Sequence, residues 1–181
     1  MMKLFTIGHS NHPLSKLVCL LDERGIVNLV DVRTDPYSRY NQQFNKETLE
    51  YELRRHNIRY LYMGKELGGR PDDPKLYKHH KPGSGEVDFL HEVDYAQIMR
   101  RTWFQQGIQE LLDLAELDTT TIMCSEEDPA ECHRHHLIAK YIMEQFPEVE
   151  VRHIRGDSKE FGAKSILKSV NDPPAVQDSF F

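Results

Sequence analysis

Thr121-Ile-Met-Cys124-Ser-Glu126-Glu-Asp128-Pro-Ala-Glu-Cys132-His-Arg134-His-His136 is the stretch on which the reading of this chain turns. An apolar run closes on a thiol and a carboxylate, and a helix start follows within a few residues. Asp128 stands where an N-cap belongs, Pro129 suits the first helical position, and Glu131 completes a capping box. A strand that passes through a short loop into a helix is the repeating unit of a parallel α/β sheet. The first turn of such a helix carries amide donors without intrahelical partners and the positive end of the dipole. Cys124, Glu126, Cys132, His133 and Arg134 are therefore expected near that junction, where open α/β proteins keep their chemistry.

The flanking sequence repeats the pattern. Lys3 to Gly8 reads as a strand running into His9, Ser10 and Asn11. Pro13 to Arg24 places Leu14, Leu17, Val18, Leu20 and Leu21 at helical spacing, and Gly25 stops it. Val27 to Val32 is apolar enough for a strand covered on both faces; it ends in Asp31-Val-Arg33, and Pro36 breaks the chain. A helix from Asn45 to His56 and a strand from Ile58 to Met63 follow. Tyr95 to Leu117 carries a long helical pattern, expected to break near Gly107. Thr119 to Met123 is a strand, Pro129 to Phe146 a helix and Val149 to Ile154 a last strand. The expected fold class is α/β: a single three-layer domain with a mostly parallel sheet of about five strands flanked by helices. It should occupy residues 1–155, with a long loop or insertion at 64–92 that is functional or partly disordered. Residues 156–181 read as a partly mobile extension, in which Phe180 and Phe181 fold back, fray or dock on a protein partner.

A chain of 181 residues suits one domain with a continuous core. No apolar run approaches the roughly 18 residues of a membrane helix, and the start of the chain lacks a secretory pattern. Three cysteines argue against a disulfide scaffold and for a reducing compartment, so a cytoplasmic location is expected. A net charge of -6 does not suit a protein that coats nucleic acid. Arg54, Arg55, Arg59, Lys65, Arg70, Lys75, Lys78 and Lys81 nevertheless cluster in one segment, which suggests a localised anionic partner. A solvated helix face beside a loop explains the same residues. Sequence leaves a homo-oligomer open.

Thr6-Ile-Gly-His9-Ser10-Asn11, Asp31-Val-Arg33 with Pro36 and Ser38, Leu67-Gly68-Gly69, and Cys124-x-Glu126-x-x-Pro129-x-x-Cys132-His133-Arg134 occur together in that order. In this the chain resembles the family catalogued as domain of unknown function 488. The resemblance spans roughly the first 155 residues and implies a small cytoplasmic α/β domain. It implies no particular reaction. It also brings Ser38, Gly68 and Gly69 into the candidate site. Ser125 departs from the small residue, such as alanine, expected there, and the stretch from Pro71 to Glu92 reads as an insertion that inherits nothing.

Parallel strands deliver their ends to one edge of the sheet. His9, Ser10 and Asn11 should then meet Asp31 and Arg33, Cys124 and Glu126, and the start of the fourth helix. Arg33 and Arg134 could hold a phosphate or carboxylate in a planar fork, aided by helix amides. Asp31 would orient an arginine or His9, and Glu126 would serve as general base or acid. Cys124, Glu126, Asp31 and His9 are the catalytic candidates. Ser10, Asn11, Arg33, Ser38, Gly68, Gly69, Cys132, His133 and Arg134 are the ligand-binding ones. Duller readings stand beside them: Cys124 as an apolar filler, Arg134 capping carbonyls or paired with Asp31, His133 on the surface, His135 half-buried in the core.

No cofactor is expected, although Cys124, Cys132, His133 and His9 could supply four zinc ligands. Against zinc, the spacing is not that of a zinc finger. Adjacent Cys132 and His133 on a helix would also point about 100° apart. Three functions remain open. The first is an enzyme binding a phosphate-bearing substrate, a nucleotide or a nucleic-acid end. The second is a non-catalytic nucleic-acid or protein-binding module. The third is a sulfur-transfer or redox enzyme built on Cys124, for which Asp31-Val-Arg33 is faintly similar to rhodanese-like domains. The third lacks the arginine of a phosphatase-like loop, since Ala130 stands six residues after Cys124.

Overall fold

Neighbouring residues of a strand point to opposite faces of its sheet, and in this chain both faces are apolar. Leu4 and Phe5, Leu29 and Val30, and Ile122 and Met123 are all buried and divide between two cores. A computed structural model describes residues 2–79 and 88–166. In chain order its elements are β1 (Lys3–Gly8), α1 (Leu14–Asp22), β2 (Asn28–Asp31), α2 (Lys46–Arg55), β3 (Arg59–Tyr62), α3 (Gly64–Leu67) and α4 (Phe89–Glu92). Then come α5 (Tyr95–Ile98), α6 (Thr102–Leu117), β4 (Thr120–Cys124), α7 (Lys140–Gln145), β5 (Glu150–Ile154) and β6 (Glu160–Gly162).

The strand order is β3-β2-β4-β1-β5-β6. The first five strands are parallel, and β6 pairs antiparallel with β5. On one face, Leu17, Val18, Leu20 and Leu21 of α1 and Leu49 and Leu53 of α2 cover Phe5, Ile7, Leu29 and Met123. On the other, Phe104, Ile108, Leu111 and Leu112 of α6 and Ile142 of α7 cover Leu4, Val30, Ile122 and Val151. This is the expected three-layer α/β domain with one more strand than expected. β6 lies beyond residue 155, so the sheet itself continues into the polar stretch.

Two helical expectations change. The pattern from Tyr95 to Leu117 breaks at Met99–Arg101, and Gly107 lies inside an unbroken α6. Gly107 is small because α3 packs against it: a β-carbon there would lie 2.7 Å from Cβ of Glu66. The expected fourth helix is also interrupted. Pro129–Glu131 forms a single 3-10 turn, Cys132 is extended (φ -140°, ψ 141°), and a π-helical turn over Arg134–Ala139 leads into α7. Asp128 does cap that short turn, accepting from the Ala130 amide at 2.9 Å. A three-residue turn presents no helix dipole, so the expected helix-end anion site falls away.

The segment 64–92 carries α3, a 3-10 turn at Pro74–Leu76, an antiparallel bridge between Tyr77 and Val93, and α4. Lys81, the Lys81-Pro82-Gly83-Ser84-Gly85 stretch, Pro173, Pro174, Phe180 and Phe181 lie outside the described residues. Among the described residues no helix is long and apolar enough to cross a membrane.

Candidate functional site

The loops after β1 and β4 are joined by backbone hydrogen bonds. His9 N–H donates to the Cys124 carbonyl at 2.9 Å and Ser10 N–H to that of Ser125 at 2.8 Å. Gly8 permits this approach, since a β-carbon there would collide with the Glu126 carbonyl. Ser10 takes a left-handed φ of 49° to make the turn. The loop carrying Glu126 is held from the other side by Arg134. That guanidinium is fully buried and donates to the carbonyls of Glu126, at 2.5 Å, and Glu127, at 2.8 Å.

Glu126 Oε2, held there, lies 3.0 Å from Cys124 Sγ and 3.2 Å from Cys132 Sγ. His133 completes the group, its Nδ1 3.6 Å from Cys124 Sγ and 3.9 Å from Cys132 Sγ. Its Nε2 is 3.1 Å from the Val32 carbonyl, which can only accept, so the ring proton sits on Nε2 and Nδ1 turns a lone pair toward the sulfurs. Cys132 and His133 face one point because Cys132 is extended rather than helical. The expected angular separation of adjacent helical residues therefore does not apply.

The two thiols ionise as a pair. Hydrogen bonding to Cys132, burial and the Glu126 carboxylate push the Cys124 thiol up. Burial opposes ionisation of Cys132 too, but the Cys124 hydrogen bond, Arg134 and His133 outweigh it and pull that thiol down.

These groups line a cleft of about 430 Å³ at the carboxyl edge of the sheet. Thr34, Asp35, Tyr37 and Ser38 form one wall, and Gly69, Arg70, Asp88, Phe89 and Tyr95 another. Arg70, Phe89 and Tyr95 were not among the sequence candidates. Arg70 directly follows the Gly68-Gly69 pair and belongs to the basic segment, so that adjacency was the available signal. Its guanidinium lies 4.3 Å from the centroid of the Phe89 ring. Among the described residues it forms no ion pair with a carboxylate.

Other candidates reach the same edge but turn inward. Asp31 is fully buried and chelates Arg33, with Nε to Oδ1 at 2.9 Å and Nη2 to Oδ2 at 2.6 Å. Tyr60 hydroxyl donates to Asp31 Oδ2 at 2.8 Å, and Arg33 also donates to the Phe44 carbonyl at 2.8 Å. The expected fork of Arg33 with Arg134 is thus replaced by two separate guanidinium groups, each spent on internal acceptors. Of the two duller readings of Arg134, capping carbonyls is the one observed, and the pairing with Asp31 is not. His9 stacks on Phe44 with centroids 4.2 Å apart, donates from Nδ1 to the Ser10 carbonyl and accepts at Nε2 from Arg33. Burial and the Arg33 charge lower its pKa to about 4, so the ring is neutral, and both its nitrogens are already engaged.

Ser10 and Asn11 hydrogen-bond each other at the surface, away from the cleft lining. Ser38 Oγ accepts from the amides of Tyr40 and Asn41 and so shapes the wall. Gly68 lies against Gly64 and Thr34, and Gly69 against His133. Of the basic stretch, Arg54 and Arg55 pair with Glu50 and Glu52 on the exposed face of α2, and Arg59 pairs with Asp118. His135 is buried and hydrogen-bonds His153 at 3.1 Å.

A family comparison meets this geometry directly, because the family described as domain of unknown function DUF488 matches residues 13–142. The chain belongs to that family. The matched span contains Asp31, Gly69, Cys124, Glu126, Cys132 and His133, and so takes in both the scaffold and the floor of the cleft. No curated protein and no solved structure matches the chain. Membership of DUF488 fixes kinship and leaves the chemistry to the site.

Proposed function

We propose that this DUF488 chain is an enzyme whose reaction takes place beside Cys124, Cys132, Glu126 and His133, and whose substrate carries a phosphate or carboxylate. The observation that carries this reading is the meeting of two thiols, a carboxylate and an oriented imidazole on the floor of one cleft. Such groups are costly to bury together without a task, since each must find partners in a site of low dielectric. Glu126 is the proton acceptor nearest to either sulfur, so it is the group placed to move a proton in the cleft.

The anion belongs to Arg70 in this reading, because Arg33 and Arg134 are spent internally. Tyr37, Phe89 and Tyr95 supply aromatic surface for a planar ring, so a nucleotide or a nucleic-acid end suits the cleft. Asp35, Asp88, Glu126 and Glu131 line it as well. They disfavour a polyanion and select a single terminal phosphate, or one accompanied by a cation. The family resemblance and the expected cytoplasmic setting are compatible with this assignment.

Calorimetry with nucleoside monophosphates and terminally phosphorylated oligonucleotides tests it. The wild-type chain should bind at least one of them. Arg70→Ala should weaken binding by about tenfold or more, the weight of one charge-assisted hydrogen bond. If no wild-type binding is found, the substrate class is wrong. A non-catalytic binding module would instead lose its partner on charge reversal at Arg54, Arg55 and Lys78 and be indifferent to Cys124→Ser.

A further inference from the structure

The same cluster has the donor set of a metal centre. Cys124 Sγ, Cys132 Sγ and one His133 ring nitrogen all lie within 4.8 Å of one another. A tetrahedral zinc ion with ordinary bond lengths separates a sulfur and a nitrogen ligand by ~3.6 Å and two sulfurs by ~3.8 Å. The two sulfur–nitrogen distances here, 3.6 and 3.9 Å, need almost no adjustment to meet that requirement.

The surroundings agree with the distances. A ligating histidine almost always donates its other ring N–H to a carbonyl or carboxylate, which fixes the tautomer and aims the free lone pair. His133 does this through the Val32 carbonyl. Gly69 presses on the same ring, where a β-carbon would lie 2.6 Å from Cγ, so the imidazole has little freedom to turn away. The Arg134 amide lies 3.5 Å from Cys132 Sγ and offers a hydrogen bond to a sulfur that carries charge. All three donors line the cleft.

We propose that Cys124, Cys132 and His133 bind one zinc-class ion, with the fourth coordination position left to water or substrate. Two thiolates and a neutral imidazole select a borderline-soft ion over magnesium or calcium. Three protein ligands and an open position are the arrangement of catalytic rather than structural zinc. His9, a ligand candidate from the sequence, is excluded by its stacking on Phe44 and its bonds to Ser10 and Arg33. Glu126 stands beside the sulfurs as the nearest proton acceptor. Both sulfurs bind as thiolates: any S–H bond still present breaks and its proton passes to solvent, while two metal–sulfur bonds and one metal–nitrogen bond form; nothing is oxidised or reduced. The inference deepens the proposed function by naming a cofactor for the same cleft, where a bound cation would also offset the carboxylates around Arg70.

The test uses the full chain, produced with an affinity tag that does not bind metal and purified without chelators. Mass spectrometry should find about one zinc-class ion per chain. Cobalt added to chelator-stripped protein should give the ligand-field bands of tetrahedral coordination and a sulfur-to-metal charge-transfer band. Cys124→Ser and His133→Gln should each remove most of the metal, and Cys19→Ser should keep it. Should a site variant unfold, the cobalt spectrum of the wild type decides alone. Wild-type protein that holds under about a tenth of an equivalent of metal and shows no cobalt–thiolate band overturns the inference. Nucleotide binding that depends on Arg70 would then survive or fail on its own, so the metal and the substrate class are judged separately.

Discussion

The backbone of Gly69 lies against the imidazole of His133, so closely that a β-carbon at position 69 would sit 2.6 Å from the ring. The pair of glycines after α3 therefore acts as a stop that fixes one wall of the cleft on its floor. Gly69→Ala should push the ring off the sulfurs and cost about 1–3 kcal/mol of stability. Urea unfolding gives the stability term. Alkylation of Cys124 and Cys132, faster in the variant than in the wild type, reports the opened cluster. Unchanged rates would mean that the ring does not cover the sulfurs.

Arg134 ties the Glu126–Glu127 loop down with two hydrogen bonds from a fully buried guanidinium. Arg134→Met should leave two carbonyls without partners and cost about 2–5 kcal/mol. Lysine should not rescue it, because one ammonium cannot reproduce the planar fork. A loss below about 0.5 kcal/mol by denaturant melt would contradict the structural role given to this residue.

Acid should destabilise the domain through its buried histidines. Burial and the neighbouring His135 and Arg134 lower His153 from 6.5 to about 3; burial, His136 and Arg134 lower His135 to about 4. His153 Nδ1 pairs with Thr6 Oγ1 at 2.7 Å, which anchors the pair between β1 and β5. The unfolded chain takes up these protons near pH 6.5 and the folded chain only near 4 and 3. The stabilising contribution is thus complete above 6.5 and lost as pH falls toward 4 and then 3. Each histidine contributes a slope of at most about 1.4 kcal/mol per pH unit in that window. Thermal melts from pH 7 to 4.5 check it. His153→Phe should flatten the dependence, and an unchanged slope would point to other groups.

The strands were readable because Leu4, Phe5 and Ile7 of β1, Leu29 and Val30 of β2, and Ile122 and Met123 of β4 put apolar side chains on both faces, as a doubly covered sheet requires. β6 was not, since Glu160-Phe161-Gly162 is too short for alternation and gains its place by pairing with β5. The break before α6 lacks glycine or proline, whereas Gly107, which looked like a breaker, serves the close approach of α3. In the site, sequence order placed Cys124, Glu126, Cys132 and His133 near one another. It could not show that Cys132 is extended, which is what lets it share a focus with His133. An arginine held by Asp31 and carbonyls capped by Arg134 were both among the readings open to it, but sequence could not choose them over a shared anion fork. Tyr95 enters only because the segment after α3 folds over the sheet edge, a tertiary event without a local code, whereas Arg70 had the adjacent Gly68-Gly69 pair as its signal.

Cys19 is exposed on α1, while Cys124 and Cys132 are buried together. Limited iodoacetamide should therefore modify Cys19 first, and peptide mapping should show the other two lagging. Labelling of Cys124 at the rate of Cys19 would contradict its burial.

The convergence of Cys124 and Cys132 is the claim on which the cleft depends, and cross-linking tests it most directly. Chelator-treated protein exposed to a mild thiol oxidant such as diamide should form an intramolecular Cys124–Cys132 disulfide, with Cys19 left free in the mapped peptides. A disulfide that uses Cys19, or two thiols that persist at 124 and 132 while Cys19 oxidises, would show that the sulfurs do not meet.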